Sequence, residues 1–513
     1  MRHRAIQGRR TGRIETRRFA GLLLVALASV ASAQGEPPAT AGAAVDFADC
    51  LISDTAKLRR LAARCTRIDR PEDPSRPDGK QVSLKVAVIP ALTPTPAEDA
   101  LTVLAGGPGA AATAFYVSFA SAFEQVRRRR DIVLVDQRGT GDSNRLDCDF
   151  SGIDEVVDVD DEKMLDLTRA CLDALPHDPR FYTTSVAVDD LDAVREALGY
   201  AQLDVYGASY GTRVALHYLR QHPEHTRTVI LDGVVPMQIP IAPEIALDAQ
   251  TALDRLFSRC QDDPACAERF IALQAKFSQV QATLEEGPIE VSLGDPFTGE
   301  PITLDVGIAH LRAAVRLLSY SPTAASLIPL IIEQAAQGNY QPLAAQAQMV
   351  MSSLDESLSY GMHNAVACTE DAPYFDEFIS RELSLEEIER TYLGSEQHEG
   401  LATICGVWPR GVIDEGFKEA VVSDHPVLIL SGEADPITPP RNGERAIGED
   451  GAHLSNALHI IANGQGHGVA ASGCLPRLIG KFVVDASHEA LDTSCVERLA
   501  PTAFFLDFSA TAP

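Results

Sequence analysis

Three residues in this chain have the types and settings for nucleophilic attack on a carbonyl: Ser209, Asp435 and His467. Ser209 sits in Gly207-Ala208-Ser209-Tyr210-Gly211, after an apolar run from Leu203 and before a helical pattern. A G-x-S-x-G in that context predicts a sharp strand-to-helix turn with the hydroxyl exposed at its tip. Side chains at 207 or 211 would collide with neighbouring backbone, and glycine removes them. The following helix N-terminus favours developing negative charge. A glycine-flanked serine in an ordinary loop is the plainer alternative, since short motifs recur by chance.

A serine hydroxyl needs a base within hydrogen-bond reach and an acid that fixes the base's tautomer. After the apolar strand Val427–Leu430 comes Ser431-Gly432-Glu433-Ala434-Asp435-Pro436, and after Leu458–Ile461 comes Asn463-Gly464-Gln465-Gly466-His467-Gly468. The order serine, acid, histidine and the position of both loops after strands assign Asp435 as the acid and His467 as the base. Glu433 is the competing acid. The tetrahedral oxyanion needs two N–H donors. Tyr210, next to the serine, supplies one, and Gly107 in Gly106-Gly107-Pro108-Gly109 supplies the other.

These loops require a parallel sheet to position them. Leu101–Ala105, Ile132–Val135, Leu203–Ala208 and Thr228–Leu231 read as buried strands separated by helix-length crossovers. Gln81–Val88 alternates apolar and polar, as a half-exposed antiparallel edge strand does. Residues 34–81 read as an N-terminal arm. From 237 to 422 the periodicity is mostly helical, interrupted by a hairpin at Ile289–Leu293 and Ile302–Val306. The expected architecture is an α/β core over 82–236 and 423–513, with an inserted, mainly helical cap over 237–422.

The N-terminus carries arginines at 2, 4, 9, 10, 13, 17 and 18, then an uncharged run from Phe19 that ends Ala31-Ser32-Ala33. That is the pattern of a secretory signal peptide over 1–33. Its removal takes the net charge from −28 to −34, which argues against a nucleic-acid partner. The basic cluster Arg127–Arg130 reads as a solvated helix end. No later stretch reaches membrane-spanning length, so a periplasmic or secreted protein without stable membrane insertion is expected. Ten cysteines in an exported chain suggest disulfides, with nearest-neighbour pairing 50/65, 148/171, 260/266, 368/405 and 474/495. No zinc-ligand spacing is present, so no metal or other cofactor is expected.

Taken together, Gly106-Gly107-Pro108-Gly109, Asp136-Gln137-Arg138-Gly139-Thr140-Gly141, Gly207-Ala208-Ser209-Tyr210-Gly211 and Gly466-His467-Gly468 resemble the prolyl and tripeptidyl aminopeptidase group of α/β-hydrolases. The resemblance is strongest to its exported bacterial tripeptidyl-aminopeptidase-like branch and covers roughly residues 80 to 500. It implies an α/β-hydrolase fold, a turn at Asp136 and Arg138 that braces the site, and peptide substrates with a free N-terminus. It also implies cap carboxylates that hold the substrate ammonium. Ala367-Cys368-Thr369-Glu370-Asp371 is similar to the branch's cysteine-acid motif, which makes Glu370 the candidate anchor; an exposed helix-end acid is the alternative. The expected function is an exported serine aminopeptidase that releases single residues or tripeptides. A carboxylic-ester hydrolase of the same fold is the alternative. A binding module that has lost catalysis is disfavoured because all three triad positions are filled.

Overall fold

The computed structural model describes residues 45–148 and 161–509. The leader expected over 1–33 lies outside them, as does the start of the arm. Nine strands form one sheet: β1 (Ala48–Ser53), β2 (Arg60–Pro71), β3 (Gln81–Ile89), β4 (Ala100–Leu104), β5 (Asp131–Val135), β6 (Leu203–Ala208), β7 (Thr226–Asp232), β10 (Val427–Gly432) and β11 (Ala457–Ala462). Their order is β1-β2-β3-β5-β4-β6-β7-β10-β11. The first three junctions are antiparallel and the remaining five are parallel. This is the α/β arrangement of a mainly parallel sheet flanked by helices.

Every residue of β4, β6 and β10 is buried, as a parallel sheet covered on both faces demands. Alternate residues serve opposite cores. Val205, Val427 and Ile429 pack with Val214 and Ala215 of the helix Tyr210–Gln221, whereas Tyr206, Leu428 and Leu430 pack with Phe123 and Phe482.

Two sequence expectations change. The described part of the arm over 34–81 supplies β1 and β2. As a result β3 is not an edge strand: β2 pairs with it on one side and β5 on the other. Its polar alternation gives way to four buried residues at its carboxy end. Arg130 is likewise not solvated. It is 7% exposed, and its Nε lies 2.9 Å from Asp99 and 3.2 Å from Asp204.

The chain leaves the sheet after β7 and returns at β10. Between them lie eleven α-helices, from Ile245–Asp262 to Glu396–Cys405, and the antiparallel hairpin β8 (Ile289–Gly294) with β9 (Pro301–Val306). These helices have their own apolar cluster, including Leu253, Phe277, Leu311 and Ile331. Among the described residues, no helix is long and apolar enough to cross a membrane.

Five disulfides join Cys50–Cys65, Cys148–Cys171, Cys260–Cys266, Cys368–Cys405 and Cys474–Cys495, with Cα separations of 4.8–6.4 Å. Two of them, Cys148–Cys171 and Cys368–Cys405, pack together around Trp408.

Candidate active site

Ser209 occupies the turn between β6 and the helix Tyr210–Gln221, with φ 53° and ψ −125°. An L residue is strained there and persists only where its surroundings over-determine it. The surroundings are tight. A Cβ on Gly207 would sit 2.2 Å from the Gly211 carbonyl, and one on Gly211 would sit 2.3 Å from that of Leu104. Only glycine lets the strand and helix approach closely enough to make this turn.

Asp435 follows β10 and His467 follows β11. His467 Nδ1 lies 2.8 Å from Asp435 Oδ2. The other carboxylate oxygen accepts the N–H groups of Ile437 and Thr438, both at 2.9 Å. Burial alone would push the Asp435 carboxyl up, but the imidazole beside it and these donors outweigh burial and hold it below the usual range. Burial would likewise push His467 down; the Asp435 charge outweighs that and raises it above the ordinary imidazole value. Glu433, the competing acid, is exposed and accepts the N–H of Gly464.

Two residues absent from the sequence expectations complete this arrangement. The Thr438 hydroxyl donates to Asp435 Oδ2 at 2.7 Å and lies 3.0 Å from His467 Nδ1. Asp232, at the end of β7, accepts the Ser209 N–H on its carbonyl at 2.9 Å. Its carboxylate accepts the N–H groups of Val469 and Ala470, both at 2.8 Å, and the Tyr206 hydroxyl. Asp232 therefore ties the loop that carries His467 to the backbone of Ser209. A polar residue at the end of a buried strand was the available signal for it. The Tyr320 carbonyl, from the helical stretch between β7 and β10, accepts the backbone N–H of His467 at 2.8 Å.

Ser209 Oγ makes no hydrogen bond among the described residues. Gly106 packs behind it, since a Cβ there would lie 3.0 Å from that of Ser209. Gly107 has φ 110° and lines the same cavity as Ser209. No acceptor among the described residues takes the N–H of Gly107 or of Tyr210. The Tyr210 ring is buried, with its hydroxyl 2.7 Å from Thr184 Oγ1. The Asp136 and Arg138 turn braces the sheet edge: Arg138 forms a bidentate pair with Asp190, and Asp136 accepts from Thr113.

The cavity beside Ser209 has a volume of about 50 Å³. Its walls are aliphatic residues of the stretch 235–245 with Ile437 and Thr438, and two acids, Glu244 and Asp248, border it. Both acids are charge-paired: Arg445 bonds both Glu244 oxygens at 2.6 and 3.0 Å, and Arg441 bonds Asp248 at 2.5 Å. Burial pushes Asp248 up to about 7 against the opposing pull of Arg441.

Glu370, expected as the ammonium anchor, does not line this cavity. It is 0% exposed, and its two oxygens accept the Thr184 N–H at 2.7 Å and hydroxyl at 2.9 Å. It supports Tyr210 from behind through Thr184. The alternative of an exposed helix-end acid fails for the same reason.

At the opposite end of the helix Tyr210–Gln221, ligand atoms of Asp192, His222 and His225 lie within 4.8 Å of one another, the spacing of a metal site. Arg195 occupies that cluster, donating to Asp192 at 2.7 Å and lying 3.1 Å from His225 Nδ1. Its positive charge offsets the carboxylate that a cation would need.

Residues 99–272 match the family described as alpha/beta hydrolase fold, and residues 390–495 match the one described as TAP-like protein. Over 495 residues the chain is 25% identical to serine protease Hip1 of Mycobacterium tuberculosis, covering 88% of this chain and 91% of that one. It is 24% identical over 490 residues to tripeptidyl aminopeptidase of Streptomyces coelicolor, covering 90% and 87%. It is also 27% identical over 486 residues to carboxylesterase B of Mycobacterium tuberculosis, covering 86% and 88%.

Proposed function

We propose that the chain is an exported serine aminopeptidase with the α/β-hydrolase fold, working through Ser209, His467 and Asp435. Ser209 Oγ attacks the scissile carbonyl carbon and His467 Nε2 takes its proton. Asp435 keeps the Nδ1 proton in place and stabilises the imidazolium. The oxyanion is held by the unpaired N–H groups of Tyr210 and Gly107. Collapse expels the amine with the proton from His467, and water, deprotonated by the same ring, cleaves the acyl-enzyme. The nucleophile–base bond closes when Oγ turns toward the ring in the substrate complex, where such contacts tighten.

The observation that carries this reading is the 2.8 Å His467–Asp435 bond on two loops leaving adjacent parallel strands. With β6 delivering Ser209 to the same sheet edge, it supports a base oriented toward a strained serine. Glu244 and Asp248 are the carboxylates that border the cavity and are the candidates for ammonium anchors; each is paired with arginine, so a substrate ammonium binds them only in competition with Arg441 and Arg445. Five disulfides fit an oxidising compartment, in keeping with a cleaved leader over 1–33. The division into a core over 82–236 and 423–513 and a cap over 237–422 is part of the same proposal.

Carboxylic-ester hydrolysis is the second reading, supported by the carboxylesterase relative. The deciding experiment uses mature protein on free-amine prolyl, alanyl and tripeptidyl anilides, on the same compounds with the amine blocked, and on simple esters, with Ser209→Ala as control. Cleavage that requires the free amine establishes the aminopeptidase. Equal cleavage of blocked compounds, or turnover of esters alone, establishes the esterase.

A further inference from the structure

The wall of the cavity beside Ser209 hangs from a buried ion network that the chemical steps above do not touch. Arg213 stands one turn beyond Ser209 on the nucleophile helix, and its side chain and that of Asp371 are 0% exposed. Arg213 Nη1 donates to both Asp371 oxygens, at 2.8 and 3.0 Å, and Nη2 donates to the Ile239 carbonyl at 2.7 Å. Asp371 Oδ1 in turn accepts the Ile241 N–H at 2.9 Å. Lys418 reaches the same Asp371 oxygen at 3.4 Å. The backbone on both sides of Pro240 is thus held from three separate parts of the chain.

Two further facts give this arrangement meaning. Ile239, Ile241 and Ala242 line the cavity together with Ser209 and Gly107. Ala242 has φ 107°, which an L residue keeps only under outside constraint. Buried ion pairs are weak contributors to stability, because desolvation offsets their attraction. This one spends its hydrogen bonds on the main chain of the cavity wall, which is a positional use.

We propose that Arg213 and Asp371 are positioning residues that hold the 239–242 wall against Ser209, so that the site accepts short aliphatic acyl groups. The isoleucine, proline and alanine lining that this wall presses toward Ser209 sets that class. The inference rests on Ser209 as the nucleophile, but it holds for a peptidase or an esterase, since both must seat the acyl side.

The test measures kcat/KM on p-nitrophenyl acetate, butyrate and octanoate, with methanesulfonyl fluoride inactivation as a size-insensitive report on Ser209. The wild-type chain is expected to prefer the short esters. Asp371→Asn, and the Arg213→Met/Asp371→Leu pair, which removes both bonded partners together but leaves Lys418 without Asp371 and Glu370 without Arg213, are each expected to lower the short-over-long ratio about tenfold, mainly through KM. Inactivation by the sulfonyl fluoride stays within about twofold of wild type, whereas a merely stabilising role would lower the melting temperature and leave the ratio alone. A folded double variant with the wild-type ratio overturns the proposal. If neither variant folds, Ile241→Ala, which keeps every ion in place, decides: an unchanged ratio there also overturns it. Turnover that survives both Ser209→Ala and the sulfonyl fluoride removes the nucleophile assignment, and this proposal with it, and is recognised by that insensitivity.

Discussion

Replacing Thr438 with valine removes one hydroxyl of nearly the same shape from the contact between Asp435 and His467. The hydroxyl donates to Asp435 Oδ2, the oxygen that also faces His467 Nδ1. Without it that oxygen keeps a single donor, the imidazole, and Oδ1 keeps the N–H groups of Ile437 and Thr438. A hydrogen bond to a buried charged group is worth about 1.5–3 kcal/mol, or roughly 10- to 150-fold if felt wholly in the transition state. The carboxylate also becomes more basic, so the imidazole beside it holds its proton to higher pH. Thr438→Val is therefore expected to lower kcat about 10- to 150-fold with little change in KM, and to move the acid limb of the rate profile upward. Thr438→Ser, which restores the donor, recovers most of the loss. Steady-state kinetics across pH on an anilide or ester substrate checks this. A folded Thr438→Val protein with wild-type kcat and an unmoved limb refutes the reasoning.

His467 must be neutral to accept the serine proton. Its folded-state value is raised above the ordinary 6.5, so kcat/KM should fall as pH drops through a midpoint above 6.5. Asp435→Asn should bring that midpoint down and reduce kcat by roughly 10⁴. The raised His467 value stabilises the fold at pH below 6.5 and that contribution is lost as pH rises through the folded midpoint, which denaturant titrations at several pH values will read. Glu370→Gln should leave the free-amine over blocked-amine ratio within about twofold, whereas Glu244→Gln should lower it about tenfold by raising KM; the reverse result would return the ammonium to Glu370. Burial pushes Glu370 up to about 7, so its stabilising contribution is present at acid pH and fades as pH rises through that value. Glu370→Gln should accordingly gain stability relative to wild type between pH 5 and pH 8. Opening the Cys368–Cys405 loop, whose ends are 37 residues apart, by replacing both cysteines with alanine should cost about 4 kcal/mol in the chain-entropy account, measured by denaturant midpoint.

Much of the site was legible because local rules govern it. Gly207 and Gly211 flank a turn whose backbone spacing excludes any Cβ, so the elbow declares itself in five residues. Val427–Leu430 and Leu458–Ile461 are short apolar runs, and the loops after them bring Asp435 and His467 together because parallel strands deliver their carboxy ends to one edge. The hairpin at β8 and β9 followed from the turn residues Asp295 to Gly299.

What local rules do not govern had to come from packing. Strand β2 carries four arginines, Arg60, Arg64, Arg67 and Arg70, and the stretch reads as a polar arm, yet pairing with β3 orders it and moves the sheet edge. Glu370 reads as a ligand acid, but in the folded chain it is buried against Thr184 and does not line the cavity. Glu244 and Asp248 are ordinary acids of a helical stretch until the same folding sets them beside Ser209. Asp232, Thr438, Arg213 and Asp371 act through bonds to residues distant in the chain or across a turn. A chain's own spacing determines which groups its turns expose; which buried charges find partners is decided only when separate elements close around them and water is excluded.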